Sequence, residues 1–453
     1  MPHPIVIIGG GLSGLSAAYY LQKAGYRATV VEKSKLGGVV QTQNIQGCLI
    51  EDGPDSFLAA KPWALELIRE LGLSGEVINS NDHLRRTFIL RDGKLIPLPD
   101  GLMMMVPTKL RPLLGTRLLS WPAKIRMVLE VFRRPGVAMP DRSVEDFILD
   151  HFGREAVDYL TEPLLAGVFG GDPKSLSANS VLTRFVEMET QYGSLSRAML
   201  TARKTSSGGS LFRTLKGGLG QLIEALVPSA DTVCGEAQAI EKNGAGYRVR
   251  VDGEWVNAGH VLIAAPAFIA GTFLRRFDSK LSELLNGIPY NSTMTLALGY
   301  DAATFGHPLR GFGFLVPKVE RKRVKACTFV NNKFDFRVAK DKVVLRCSIA
   351  GDGAGESDDT LVQSASSEVR EILGTTAAPV FSHVTRWKNA MAQYTVGHSK
   401  RVQQIRELML MQPGIWLAGN GYDGIGLPDC IRSGKTAAES IVKAGAELYS
   451  TAP

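Results

Sequence analysis

Ile5-Val6-Ile7-Ile8-Gly9-Gly10-Gly11-Leu12-Ser13-Gly14 decides the fold. Four apolar residues in a row read as a strand buried on both faces, and Gly9, Gly11 and Gly14 then fall in GxGxxG spacing at a strand-to-helix junction. In that pattern Gly9 permits the tight turn and Gly11 lets the backbone approach a pyrophosphate. Gly14 lets the following helix, expected from Leu15 to about Ala24, pack closely on the sheet with its N-terminal amides aimed at phosphate. Gly10, Leu12 and Ser13 complete the loop. A second strand, Ala28-Thr29-Val30-Val31, ends in Glu32, eighteen residues beyond Gly14, where a carboxylate can accept hydrogen bonds from an adenosine ribose. Strand, glycines, helix, strand and terminal acid in this order predict a dinucleotide-binding α/β fold.

The residues just after this acid select the dinucleotide. Leu36-Gly37-Gly38, then Thr42, form a second glycine turn that the usual nicotinamide pattern lacks, which favours FAD. Glu51-Asp52-Gly53-Pro54-Asp55-Ser56-Phe57 reads as another tight loop, placed to lie against the flavin ring. Near the other end, Gly414-Ile415-Trp416-Leu417-Ala418-Gly419 is a short strand running into a glycine turn, with Gly424, Gly426 and Asp429 leading into a helix from about Pro428 to Lys443. The positive end of such a helix suits negative charge developing on a reduced flavin.

Further out, the 453 residues are 45% hydrophobic and 21% charged, enough for a sizeable core in two or three domains, which excludes a disordered chain or a mini-protein. Cys48, Cys234, Cys327, Cys347 and Cys430 are odd in number, scattered and without CxxC spacing, so neither a disulfide framework nor a metal site is expected. Met1-Pro2-His3-Pro4 lacks the basic start of an export signal, and no apolar run reaches about 18 residues. A cytoplasmic protein is expected, peripheral on the inner face of the membrane if it meets one. The net charge of +8 is concentrated, since residues 85–134 hold eleven Lys/Arg against three Asp/Glu. The same stretch carries Leu102-Met103-Met104-Met105-Val106 and Leu118-Leu119-Ser120-Trp121. Three readings stay open: a membrane-surface helix, a helical domain with a solvated basic face, or a lining that attracts an acidic substrate. No nucleic-acid motif accompanies the charge.

With these residues in view, the chain resembles the protoporphyrinogen oxidase family, within the larger FAD-dependent amine oxidase and phytoene desaturase group, over nearly its whole length. The more particular marks are Gly53-Pro54-Asp55-Ser56-Phe57, Gly167-Val168-Phe169-Gly170-Gly171-Asp172, Gly311-Phe312-Gly313-Phe314-Leu315-Val316-Pro317, Gln393-Tyr394-Thr395-Val396-Gly397-His398 and Asp429-Cys430-Ile431. The resemblance implies FAD contacts at Gly9 to Gly14, Glu32, Lys33, Gly37, Gly38, Val39, Gly53, Pro54, Asp55, Ser56, near Gln238, Trp387, Ile425, Gly426 and Leu427. It implies substrate contacts at Arg86, Gly167, Phe314 and Ser348, with the Gly167 backbone against a pyrrole ring. Thr87 stands where the family often carries an arginine for a propionate, and Ala392 where proline commonly precedes Gln-Tyr.

The implied fold is a discontinuous Rossmann-like FAD-binding domain (residues 1–84, 206–270 and 386–453), a mostly helical basic insertion (85–205) and an α+β substrate-binding domain (271–385), with a linker at residues 205–210. The implied activity is oxidation of protoporphyrinogen IX to protoporphyrin IX at FAD with oxygen as acceptor. Coproporphyrinogen III is the alternative, and a flavin amine oxidase, a carotenoid desaturase or a non-catalytic FAD protein are more distant ones. The remaining implied partner is a second copy in a homodimer. Because the flavin performs the hard step, no strong acid-base pair is demanded. Asp55 is the catalytic candidate, to orient the macrocycle or accept a pyrrole proton. His398 is the other titratable residue in a family motif and reads as a satisfied structural histidine.

Overall fold

The computed structural model describes residues 4–450 apart from 104, 137–138, 203–209, 307, 352 and 354. Met104 and all of the expected linker except Ser210 therefore lie outside the described residues.

The opening strand Ile5–Ile8 sits at the centre of a five-stranded parallel sheet, in the order Asp231–Cys234, Ala28–Glu32, Ile5–Ile8, His260–Ile263, Ile415–Leu417. Its residues alternate between two cores. Ile5 and Ile7 pack with Ala17, Leu21 and Ile441 from the helices Leu12–Lys23 and Leu427–Ser450. Val6 and Ile8 pack on the other face with Val249, Leu274 and Leu285, from a three-stranded antiparallel meander and two helices. A strand covered on both faces has no polar position, which is why the segment is uniformly apolar.

A second sheet has seven strands, in the order Phe381–Ala392, Tyr290–Asp301, Lys342–Ile349, Val324–Phe329, Gly313–Leu315, Thr87–Arg91, Lys94–Pro97. All pairings are antiparallel except Gly313–Leu315 with Thr87–Arg91. Two expected boundaries shift here. Residues 87–97 form a hairpin of this sheet rather than the start of the helical insertion, because Asp92 and Gly93 both take positive φ (51° and 69°) and make a two-residue turn. Trp387 lies on the Phe381–Ala392 strand, so residues 386–392 belong to this sheet rather than to the nucleotide domain.

Period-two alternation gives the second sheet two unlike faces. Met294, Leu296, Phe314, Cys327, Leu345 and Cys347 are buried under the helix Asp358–Leu373. Register places Thr293, Thr295, Ala297, Leu315, Thr328, Arg346, Ser348, Thr385 and Trp387 on the opposite, open face. The open face meets the nucleotide domain and the helical region.

The helical region includes Trp121–Leu129, Val144–Phe152, Glu162–Phe169, Thr183–Tyr192 and Leu195–Ala202, gathered on a core of Phe147, Phe152, Leu160 and Leu165. A buried carboxylate ties it together. Glu130 accepts from the backbone N–H of Leu195 (2.7 Å) and Ser196 (3.1 Å), and His151 Nδ1 lies 2.9 Å away.

Candidate functional site

The glycine loop folds as its spacing predicts. Gly9 has φ +107°, and a Cβ there would lie 2.6 Å from Ala264 O. A Cβ on Gly14 would overlap Gly9 O, so the helix approaches the turn as closely as backbone allows. Gly11 is the exception: nothing lies within 4 Å of where its Cβ would be. The loop is thus packed tightly on its inner side and open at Gly11, directly before the buried Leu12 and Ser13 that start the helix. An opening lined by backbone at a helix N-terminus fits a pyrophosphate. Glu32 joins the two glycine turns, accepting from Gly10 N–H at 2.8 Å through Oε2 and from Ser34 N–H at 2.9 Å through Oε1. Gly37 N–H in turn donates to Gly10 O at 2.7 Å, and Gly38 lies against Gly11. Lys33 is exposed, 3.4 Å from Glu236. Gln238 is exposed four residues beyond Cys234, which pairs in register with Glu32 at the same end of the sheet.

The loop Gly53-Pro54-Asp55-Ser56 is pressed onto the second glycine turn. A Cβ on Gly53 would overlap Val39 O, and Asp52 N–H donates to Gln41 O at 2.9 Å. From the other side, side chains of the second sheet grip the same segment. Arg346 donates through Nε to Glu51 O (3.1 Å) and through Nη2 to Gly53 O. Trp387 Nε1 donates to Asp52 O at 2.9 Å, and His383 Nε2 lies 2.7 Å from Asp52 Oδ1. Arg337 pairs with Glu51 at 2.8 Å, both almost wholly buried, and Lys333 Nζ lies 2.8 Å from each carboxylate oxygen of Asp55. Ser56 Oγ donates to Asp55 Oδ1 at 2.7 Å.

These contacts set the charge states. Burial alone would push the Asp55 carboxyl up, but Lys333 and then Arg346 hold it well below the usual carboxylate range. It is a permanent anion and a weak base. For Glu51 burial prevails over the opposing pull of Arg337, and its pKa is raised. Sequence reading missed Lys333, Arg337, Arg346 and His383. The available signal was a charged residue inside an apolar strand, since Arg346 stands in Val343-Val344-Leu345-Arg346-Cys347.

The C-terminal turn closes on the same place. Gly419 N–H donates to Ser433 Oγ (3.0 Å), and Tyr394 OH donates to Asn420 O (2.8 Å) while accepting from Gly424 N–H (2.6 Å). Ile425 and Gly426 lead into Leu427, the first residue of the last helix, whose Gly434 is packed against Ser13 O. Asp429 in its first turn pairs with Lys61 at 2.5 Å. His398 stacks on Tyr394 with ring centroids 4.0 Å apart, and burial pushes its pKa down to about 4, which keeps it neutral. It is only partly satisfied, with Nε2 3.3 Å from Tyr422 O and Nδ1 buried without a hydrogen-bond partner among the described residues.

The four residues assigned to substrate are not all brought together. Gly167, in the helix Glu162–Phe169, is exposed toward the open face, with Leu315 the nearest neighbour to its Cβ position at 3.8 Å. Gly170 similarly lies 3.7 Å from Thr293, so this helix roofs the open face, and Ser348 shares that face. Phe314 does not. It is 1% exposed on the other side of the sheet, packed edge-on to Phe329, because its neighbours Gly313 and Leu315 take the open-face positions. Arg86 is exposed just before the Thr87–Arg91 strand, and its carbonyl accepts from Phe312 N–H at 2.9 Å.

Residues 12–442 match the flavin-containing amine oxidoreductase family. The coproporphyrinogen III oxidase of Bacillus subtilis is 32% identical over 96% of both chains. The protoporphyrinogen oxidase of Homo sapiens is 28% identical over 98% of this chain and 99% of its own. A crystal structure from Exiguobacterium sp. 255-15, provisionally assigned as a protoporphyrinogen oxidase, superposes with a TM-score of 0.88 at 33% identity, covering 98% of this chain and 99% of that one. With the glycine turns, the acid after the second strand and the C-terminal helix converging at one site for FAD, the chain belongs to the flavin-containing amine oxidoreductase family, in its porphyrinogen oxidase branch.

Proposed function

We propose that the protein oxidises coproporphyrinogen III to coproporphyrin III at FAD, with oxygen as acceptor. Protoporphyrinogen IX, favoured by the sequence, becomes the second reading. The observation that carries the proposal is the open face of the second sheet. It is roofed by the Gly167 helix, bounded by the Gly53–Ser56 loop, and lined by threonine and serine hydroxyls together with Leu315, Arg346 and Trp387, with Asp55 held as a weak base at its edge. Such a face suits a reaction in which the protein holds a flat ring and supplies little proton chemistry. Bound FAD supplies the acceptor for hydride from a bridging carbon. Gly167 leaves room for the ring, and Ser348 offers a hydroxyl beneath it, while the Thr295 hydroxyl donates to Asp52 O of the bounding loop at 3.2 Å. Asp55, an anion fixed by Lys333, orients charge at the edge of the flavin site rather than accepting a proton. The four-carboxylate substrate is preferred because of the Bacillus subtilis relative and because the cluster where the loop meets the sheet holds three cations against two carboxylates.

A peripheral membrane contact also has support. Trp121, Ile125 and Leu129 recur every four residues and are exposed, with Phe132 beyond them and exposed Leu110 and Leu114 on the neighbouring helix. Lys109, Arg111 and Arg117 lie close in sequence, the pairing that favours an anionic lipid surface. No helix among the described residues is long and apolar enough to cross a membrane. Co-sedimentation with anionic liposomes should fall as salt rises, and absence of binding at low salt would end this part of the proposal.

Purified yellow protein given each porphyrinogen in parallel, with enzyme-free autoxidation subtracted, tests the activity by growth of porphyrin fluorescence. Faster oxidation of coproporphyrinogen III is expected. Preference for protoporphyrinogen IX would move the assignment to the second reading, and oxidation of neither would return the protein to the amine oxidases or desaturases.

A further inference from the structure

Between the open face and the Glu51–Asp55 segment lies a cavity whose charged lining is Glu51, Asp55, Lys333, Arg337 and Arg346. Three cations face two carboxylates. Glu51 is matched by Arg337 and Asp55 by Lys333, each at 2.8 Å. Arg346 has no carboxylate within 4.0 Å among the described residues and bonds only to the carbonyls of Glu51 and Gly53. Carbonyls satisfy its N–H groups, and the Asp55 carboxylate that it helps keep ionised is already paired with Lys333, so the cluster holds one cation more than it has carboxylates. A half-buried guanidinium in that condition costs stability, and an apolar residue would fill the same strand position more favourably. Its direction is fixed by register. Arg346 sits opposite Ala297 and Thr328, two residues before Ser348 and on the same face.

We infer that Arg346 is a specificity-determining residue, and that its guanidinium receives a carboxylate on the substrate's edge that a dicarboxylic porphyrinogen lacks. A carboxylate supplies the missing anion and can take the guanidinium fork in a charge-assisted contact. This rests on the porphyrinogen reading above and deepens it, because it names the group that separates four-carboxylate from two-carboxylate substrates.

The test is equilibrium binding of two porphyrins to the FAD-loaded protein, followed by fluorescence quenching. Coproporphyrin III and mesoporphyrin IX share a ring and two propionates and differ in having propionates or ethyl groups at two further positions. The wild-type protein should prefer coproporphyrin III by about tenfold or more at low salt, and the preference should shrink as salt rises. Arg346→Gln, compared with wild type at equal flavin content, should bring the two affinities within about threefold of each other by weakening coproporphyrin III more than mesoporphyrin IX. Arg346→Lys, which keeps the charge, should keep most of the preference. Equal weakening of both porphyrins in Arg346→Gln would overturn the inference and leave Arg346 as a clamp on the loop. If the variant does not fold, the wild-type comparison still decides, because equal affinities for the two porphyrins sink the inference by themselves. Binding of neither porphyrin would instead overturn the porphyrinogen reading beneath it.

Discussion

The nucleotide end of the flavin site and its ring end are built by opposite means. At Gly9–Gly14 backbone meets backbone: the turn, the helix and the strand after it touch through atoms that every residue has, and only glycine lets them come so near. At Glu51–Ser56 the loop is held across a domain boundary by charged side chains, Lys333 and Arg337 on the carboxylates of Asp55 and Glu51 and Arg346 on backbone carbonyls. The first construction is local, with contacts mostly within 30 residues of chain. The second joins residues nearly 300 positions apart. The two ends should therefore fail differently, the first by steric exclusion and the second by stranded charge.

The largest effect belongs to the steric end. Gly14→Val puts a branched side chain where even a Cβ would overlap Gly9 O, and backbone cannot yield as a flexible side chain does. Loss of FAD is expected, with destabilisation of about 3 kcal/mol or more, read as flavin per protein and Tm. A variant that stayed yellow at unchanged Tm would break the steric account of the loop. Next comes the charged end. Lys333→Met leaves the half-buried Asp55 without its nearest cation, at a cost of about 2 kcal/mol. Adding Asp55→Asn removes the stranded charge and should restore a large part of that loss. Additive losses in the double variant would show that the pair does not act as one unit.

This difference also sets how much could be read in advance. The parallel sheet, both glycine turns, Glu32 and the C-terminal helix were legible because each is a short-range pattern with its own spacing. The hairpin at residues 87–97 carries an Asp92-Gly93 turn signal, yet the basic charge around it points to the helical insertion. Phe314 joins the expected substrate contacts by motif alone. Which face of a strand meets the site depends on register with its neighbours, and register is not written locally. Lys333, Arg337 and His383 escape notice for the same reason: a lone cation or histidine shows no partner until the fold brings one from another domain.

A smaller, pH-dependent effect sharpens the charged half. The bond to Asp52 raises the His383 pKa above its ordinary 6.5, against the pull of burial. Burial would raise Asp52, but hydrogen bonds from His383 and Gln43 prevail and lower it. A raised histidine contributes fully below its unfolded value and loses that contribution as pH rises through its folded value. A depressed carboxylate contributes above its unfolded value and loses it as pH falls through the lower folded one. The pair is thus strongest between about pH 4 and 6.5. His383→Gln should cost about 1 kcal/mol near pH 5.5, with the gap to wild type closing by about pH 9. A gap that stayed constant across that range would show that the histidine never carries charge in this contact.

The smallest expected effect tests whether charge matters at the nucleotide end at all. Lys33 follows Glu32 directly, and its ammonium reaches Glu236 at 3.4 Å with both side chains well exposed. Solvent screens such a pair, so Lys33→Ala should change stability by no more than about 0.5 kcal/mol. If this end is held by backbone and by Glu32 alone, the variant should also release FAD no faster than wild type, within about twofold, at low salt. FAD loss rising tenfold at low salt and recovering at high salt would mean that Lys33 contributes through its charge. The contrast between a steric end and an electrostatic end would then give way to a site that uses charge throughout.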